Sequence, residues 1–109
     1  MYKFTGFTES ANNALNCAVE SAENLGHTYI GSEHILLGLL SDSRSVSAAM
    51  LSVKKVNFKK AEEQIKALVG MGMPTNLTPE DITPRCRKII ENALALGRGE
   101  PSGEAGTEH

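Results

Sequence analysis

The chain has no apolar run near the roughly 18 residues that a membrane-spanning helix requires. Its first residues, MYKFTGF, also lack the apolar core of a signal peptide. The only two cysteines, Cys17 and Cys86, have neither a metal-ligand nor a C-x-x-C spacing and fall within helical patterns. We therefore expect a soluble cytoplasmic protein whose cysteines are small buried or half-buried residues.

The chain also has no excess of basic residues. The formal net charge is -2, and the only basic cluster consists of Lys54, Lys55, Lys59 and Lys60. A nucleic-acid-binding surface needs an extended electrostatic footprint, which four lysines at a predicted helix start do not provide. The sequence therefore predicts no nucleic-acid partner and no membrane partner.

Catalytic machinery is also lacking. A chain of 109 residues is predicted to be one domain, whereas an ATPase module needs roughly 200 residues. No G-x-x-x-x-G-K-[ST] motif is present, and GMGMP at 70–74 lacks the lysine that reaches phosphate. No nucleophile lies in a recognisable triad, and no carboxylate pair lies in an evident cleft. These absences predict that the chain is not an enzyme and holds no cofactor.

What the chain does contain is helical periodicity. Thr8 is predicted to cap a first helix that Gly26 ends, and Asn57 to cap a fourth that Gly70 ends. The first helix has apolar residues at offsets 0, 3, 4, 7, 8, 11 and 14 over 11–25. After a polar turn at 41–45, a short third helix is predicted from Val46, Ala49, Met50 and Val53, and the fourth from Phe58, Ala61, Ile65, Leu68 and Val69, with an exposed pair of Glu62 and Lys66. These patterns predict an all-α bundle of about five helices.

Thr83 and Pro84 form a second strong helix start and open an internal repeat. From 86 to 97 the apolar offsets of 11–22 recur with a shift of 75 residues, and the same shift carries GSEH at 31–34 onto GTEH at 106–109. We predict a partial domain at 1–96, with one repeat at about 4–70, a linker at 71–82 that holds at most one helical turn, and the first helix of a second repeat at 83–96.

The second repeat is cut off after its motif, and two expectations follow. Apolar surface should stay uncovered on its first helix, at Ile89, Ile90, Ala93 and Leu94. The glycine-rich tail at 97–109 should be poorly ordered or folded differently from a normal repeat, because it offers almost nothing to bury.

The stretch GHTYIGSEHILLGLL at 26–40 is the one around which the chain is organised. Ser32 is expected to cap a short helix, with Glu33 as its first residue. Apolar residues then occupy almost the whole circumference, so the helix should lie inside the bundle. The polar triplet 32–34 would thus sit at a rigid edge of the core, where a binding site can be built.

This stretch, preceded by FTESANNAL, resembles the repeat of the Clp amino-terminal domain, the helical docking module at the front of Clp ATPases such as ClpC and ClpA. The resemblance spans Phe4 to about Leu96. It implies a partial Clp N domain that binds client and adaptor proteins and reaches a Clp ATPase ring and protease through a longer parent chain. It also implies a role in ATP-dependent proteolysis and the stress response.

The resemblance also implies site residues. In Clp domains of the ClpC kind, the glutamate matching Glu33 is associated with binding the guanidinium of phosphorylated arginine. Substrate-binding roles are thereby implied for Thr8, Glu33, Thr83 and Glu108. From the residues alone, Glu33 is also explained by the helix dipole, and the two threonines are explained as caps.

Other interpretations stay open at this point. The chain could be a stand-alone Clp-like adaptor or competitor protein. It could also be a small helical metal protein using His27, His34 and Glu33, although histidines seven residues apart with no further ligand in register make a weak site. The alternative for these histidines is a structural one, with hydrogen bonds to the backbone. Self-association through the uncovered second-repeat helix is a further expectation.

Overall fold

The computed structural model describes residues 2–42 and 46–109, so most of the predicted turn at 41–45 lies outside the described residues. The described part folds into five α-helices: α1 (Glu9–Asn24), α2 (Ser32–Leu40), α3 (Val46–Val53), α4 (Phe58–Val69) and α5 (Pro84–Gly97), with one 3-10 turn at Pro79–Asp81. The fold is all-α, as predicted. Within these residues, no helix combines the length and apolar character needed to cross a membrane.

Three of the helices begin at the side-chain caps that the sequence predicts. Thr8, Asn57 and Thr83 each accept a hydrogen bond from the backbone N–H three residues later, at 3.2, 3.0 and 3.1 Å. Each cap satisfies one of the N–H groups that a helix start leaves without a backbone partner. At the other end of α1, Gly26 has a φ of +74°, which explains why a glycine ends the helix.

The core forms where α1 packs against its neighbours. Gly38 of α2 lies so close to α1 that an added Cβ would overlap the carbonyl oxygen of Ala14. Leu37 is completely buried and packs with residues that end α1 and line α4. A second cluster joins α1 to the linker and α5 through Ala18, Val19, Ala22, Ile30, Leu77, Ile82 and Cys86. The alanine-rich face of α1 is therefore what allows the close approach of α2.

The faces of α3 and α4 differ in part from the predicted ones. The side chains of Val46 and Val53 on the predicted face of α3 lie outside the described part. Among the described α3 side chains, Ser47 and Ala48 are buried, while Ala49 and Met50 are exposed. In α4 Ile65 is buried, but Leu68 is 82% exposed. Both helices lie at the edge of the bundle, where a single neighbour covers only a narrow strip. The predicted pair of Glu62 and Lys66 is present on α4, with 3.6 Å between Oε1 and Nζ.

The two sequence repeats are joined by an exchange of backbone hydrogen bonds. The Thr8 N–H donates to the Ala105 carbonyl at 2.9 Å, and the Thr83 N–H donates to the Ile30 carbonyl at 2.9 Å. The residue before each threonine forms a parallel bridge with the same partner, Phe7 with Ala105 and Ile82 with Ile30. Since each of these residues maps onto its counterpart by the shift of 75, each repeat holds the helix start of the other.

The segment 97–109 follows a defined path in the structure. Ala105 is completely buried, and its N–H donates to the Gly6 carbonyl at 2.8 Å. A Cβ added at Gly97 would overlap the backbone at Ala105. The poor order expected from the lack of large apolar residues stays a prediction. In the structure, a single alanine holds the segment where a glycine of α5 leaves room.

Candidate functional site

The start of α2 is built by its histidine. The structure places Gly31 at the N-cap and makes Ser32 the first helical residue, so Glu33 is the second and not the first. Ser32 is exposed, and the His34 Nδ1 accepts the Gly31 N–H at 2.9 Å. The predicted serine cap is therefore wrong by one residue, because the residue at the third helical position reaches back to close the helix start.

Glu33 lies at the surface beside the buried start of α2. Its side chain is 30% exposed, and Oε1 lies 3.7 Å from the His34 Nδ1. The carboxylate folds back over Gly31, where an added Cβ would overlap Oε1. The pKa of Tyr29 is raised by burial and then by the charge of Glu33 and a hydrogen bond to it. A half-buried tyrosine thus helps to hold this carboxylate in place.

Glu33 is also close to the first turn of α5. Burial raises the pKa of the Cys86 thiol, and the negative charge of Glu33 raises it further. Thr83, which begins α5, donates its N–H to Ile30, three residues before Glu33. Thr83 and Glu33 therefore lie in the same region of the fold, where the charge of the carboxylate reaches the first turn of a helix from the other repeat.

The second copy of the motif has the same local geometry. The Gly106 N–H donates to the His109 Nδ1 at 2.9 Å, and an added Cβ at Gly106 would overlap the Glu108 carboxylate. Thr8 and Glu108 line a common cleft together with Glu100 and Glu104. The four residues implied as a binding site thus form two pairs, Glu33 with Thr83 and Glu108 with Thr8.

The two copies of the motif differ in the group that contacts the Nε2 of their histidine. In the first copy, the His34 Nε2 lies 2.7 Å from the His27 Nδ1, and the His27 Nε2 lies 2.9 Å from the Gly70 carbonyl oxygen. In the second copy, the His109 Nε2 lies 2.8 Å from a Glu100 carboxylate oxygen. Burial lowers the pKa of His34 to about 4, whereas the hydrogen bond to Glu100 raises the pKa of His109.

These contacts leave the histidines in structural roles. Both nitrogens of His27 and of His34 are engaged, each ring with one backbone group and with the other ring. A metal at this place would have to break that chain. Within residues 2–42 and 46–109, no three His, Cys, Asp or Glu side chains are grouped as metal ligands would be.

Sequence reasoning missed three features of these sites: the role of Tyr29, the contact between His27 and His34, and the role of Glu100. Tyr29 lies between the two histidines in the chain, and its ring packs against both, with centroids 5.7 and 5.3 Å away. An aromatic residue two positions before the N-cap Gly31 was an available signal. Glu100 offered none, because the shift of 75 places it opposite Leu25 in the first repeat.

Comparison with known proteins gives a consistent result. The family described as the Clp repeat (R) N-terminal domain matches residues 6–109. The chain is 37% identical over 106 residues to the negative regulator of genetic competence ClpC/MecB of Bacillus subtilis (strain 168), and 34% identical over 106 residues to the ATP-dependent Clp protease ATP-binding subunit ClpA homolog of Porphyra purpurea. Each alignment covers 97% of this chain and 13% of the relative.

A solved structure has the same fold. The N-terminal domain of the caseinolytic protease associated chaperone ClpD from Arabidopsis thaliana superposes with a TM-score of 0.76 at 22% sequence identity, covering 99% of this chain and 74% of that chain. The chain therefore spans a small part of the curated relatives and about three quarters of one solved domain.

Proposed function

Because this chain belongs to the Clp N-terminal repeat family, we propose that it is a non-catalytic docking module that binds client and adaptor proteins for an AAA+ Clp unfoldase and its protease. A module tethered to an ATPase ring raises the local concentration of captured segments at the pore. On this proposal the working compartment is the cytoplasm.

We further propose that phosphorylated arginine is a ligand of the two motif sites. The observation that supports this is the pairing of a carboxylate with the helix start of the other repeat, Glu33 with α5 and Glu108 with α1. A carboxylate can accept two hydrogen bonds from a guanidinium. The N–H groups and dipole of a helix start favour a phosphate. Phosphoarginine carries both groups next to each other.

The first site fits this ligand better than the second. The cleft at Glu108 contains two more carboxylates, Glu100 and Glu104, whose charge repels a phosphate. Around Glu33, the neighbouring side chains that its charge reaches are a tyrosine, a thiol and a neutral histidine. We therefore assign the tighter binding to the Glu33 site.

Calorimetric titration with free phosphoarginine tests the assignment. The Glu33→Ala variant should bind about 10- to 150-fold more weakly, the equivalent of roughly 1.5–3 kcal/mol for a hydrogen bond to a charged group. Glu108→Ala should have a smaller effect, and Glu62→Ala on α4 serves as the matched control. Equal binding by the wild type and Glu33→Ala would overturn the assignment and leave adaptor docking elsewhere on the helices. Parallel titrations with arginine and with inorganic phosphate separate the two halves of the ligand.

We also propose that copies of this chain associate through the apolar face of α5. Ile89 is 44% exposed, and Ile90 beside it is half-buried. Together with Phe7 and Leu39 they line a groove of about 240 Å³. Sedimentation velocity at rising concentration should show reversible association that Ile89→Lys weakens. A wild type that stays monomeric at millimolar concentration would contradict it.

A further inference from the structure

In the first repeat, hydrogen bonds link Gly70, His27, His34 and Gly31 in a row, called here the histidine chain. The backbone groups of Gly70 and Gly31 at its two ends determine which ring nitrogens carry hydrogen. Gly70 offers only a carbonyl oxygen, so the His27 Nε2 must carry a hydrogen. Gly31 offers only its N–H, so the His34 Nδ1 must be bare. A neutral His34 then has its hydrogen on Nε2 and donates it to the bare Nδ1 of His27. With both rings neutral, every hydrogen-bonding atom along the chain is satisfied.

An additional proton has no place in this arrangement. On His34 it would go to Nδ1 and point at the Gly31 N–H. On His27 it would go to Nδ1 and point at the Nε2 hydrogen of His34. Either position sets two donors against each other at a distance of 2.7–2.9 Å. His27 is 7% exposed and His34 is fully buried, so water cannot easily supply the missing acceptor.

The histidine chain connects separate parts of the fold. Gly70 ends α4, His27 follows α1, and Gly31 and His34 form the start of α2 directly beside Glu33. We propose that His27 and His34 form a clamp that is complete only when both rings are neutral, and that this clamp positions the Gly31–Glu33 turn against the end of α4 and opens in acid. His27 is then a positioning residue for a carboxylate that it does not touch.

Burial and the nearby carboxylate shift the pKa of His34 in opposite directions. Burial lowers the pKa of His34 to about 4 and outweighs the carboxylate of Glu33, which acts to raise it. The Tyr29 ring packs against both imidazoles, and the charge of Glu33 and a hydrogen bond to it raise the pKa of Tyr29 beyond the effect of burial. On α5, the Cys86 thiol is a titratable group that the charge of Glu33 also reaches. On α1, the Glu23 carboxylate accepts the Leu77 N–H at 2.8 Å.

The second repeat provides an internal control. His109 makes the same bond to its glycine, but its Nε2 meets the carboxylate of Glu100 and not another imidazole. A carboxylate favours the charged ring, so acid completes this contact where it breaks the other. The neutral clamp is therefore a property of the first repeat and not of the shared motif.

Nitrogen-15 NMR of the imidazole rings in the wild-type chain reads the clamp directly. We expect His27 and His34 to be Nε2–H tautomers at pH 7. At pH 5 the His34 ring should still be neutral, although an ordinary histidine with a pKa near 6.5 is then about 97% charged. Detection of an Nδ1–H tautomer at either position, or of a charged His34 ring at pH 6, would overturn the proposal. This measurement needs no ligand and no variant.

The pH dependence of unfolding provides a second test. His34→Gln puts a non-titrating residue at the third helical position, where glutamine also closes helix starts. In the wild type the folding equilibrium constant should fall by up to tenfold per pH unit from 6.5 to 4 because of His34. His34→Gln should lose that part of the slope, whereas the control His109→Gln should keep it. Equal slopes in the wild type and His34→Gln would contradict the clamp.

The link to Glu33 rests on the proposed function and has its own readout. His27→Phe keeps a planar ring but removes the acceptor for the His34 Nε2–H, so hydrogen exchange of the Gly31 N–H should accelerate at least tenfold. Unchanged exchange would overturn the positioning role. If exchange accelerates while phosphoarginine affinity is unchanged, the clamp stands and the assignment of the ligand to Glu33 fails.

Discussion

The first helices of the two repeats have the same apolar spacing and different surroundings. On α1, Ala14 is 8% exposed and lies under α2, whereas the matching residue on α5, Ile89, is 44% exposed. Leu15 is buried, and its counterpart Ile90 is only half-buried. Small residues stand where a second helix approaches closely, and a larger residue stands where no helix of the described chain covers the face.

A periodic apolar pattern predicts one property of a helix and leaves another open. The pattern determines which side of a helix is apolar. What covers that side depends on a partner helix, and the partner of α1 is recognisable in Gly38, which can approach only because it has no side chain. On α5 the apolar side is partly shared with the linker and α1 through Cys86, which is completely buried.

The largest expected effect comes from the helix that covers α1. Leu37→Ala should lower the free energy of unfolding by about 2–5 kcal/mol, because Leu37 is completely buried. Leu96→Ala on α5 is the comparison, with an expected loss below about 0.5 kcal/mol at 61% exposure. Urea denaturation followed by circular dichroism measures both. Similar losses would show that the two helices are covered to the same extent.

A reciprocal exchange tests the matched positions themselves. Ala14→Ile should cost about 1–3 kcal/mol, because the added atoms have to displace α2 from its contact with α1. Ile89→Ala should cost less and should reduce association of the protein. Thermal unfolding and sedimentation of the two variants give the answer. If Ala14→Ile is tolerated without loss, the close approach at Gly38 is not a constraint.

The capping threonines of α1 and α5 should contribute equally to stability, although the apolar faces of the two helices are covered to different extents. Thr8→Ala and Thr83→Ala should each cost about 1 kcal/mol, since each threonine accepts one first-turn N–H at 3.1–3.2 Å. Thr8→Ser and Thr83→Ser retain the acceptor and should be close to the wild type. A cost found at one position alone would mean that the two repeats do not hold their helix starts in the same way.

The smallest effect is that of the charge on His109, and its sign is opposite to that of the His34 effect. The folded pKa of His34 is lowered, so its contribution to stability is present above about pH 6.5 and is lost as the pH falls towards 4. The folded pKa of His109 is raised, so its contribution is present below pH 6.5 and is lost as the pH rises through the folded pKa. Stability of His109→Gln relative to the wild type should therefore improve from pH 6 to pH 8. A constant difference would contradict this.

The sequence was sufficient for the helices, the three threonine and asparagine caps, and the repeat, because these depend on local spacing and on residues that act within one turn. It misplaced the cap of α2 by one residue, since the acceptor is a histidine side chain that turns back on Gly31. It did not foresee the anchoring of Ala105, because that contact depends on backbone atoms from the far end of the chain. The pairing of each glutamate with the opposite helix start is likewise a tertiary property, and the repeat indicated only that there would be two such sites.

In the proposed function, each site combines a glutamate of one repeat with the helix start of the other. Amide chemical shifts at residues 84–86 of α5 and 9–11 of α1, followed during titration with phosphoarginine, test this pairing. We expect Glu33→Ala to abolish the changes at the start of α5 and to leave those at the start of α1, and Glu108→Ala to do the reverse. Loss of the changes at the start of α1 in Glu33→Ala, with those at α5 retained, would contradict it.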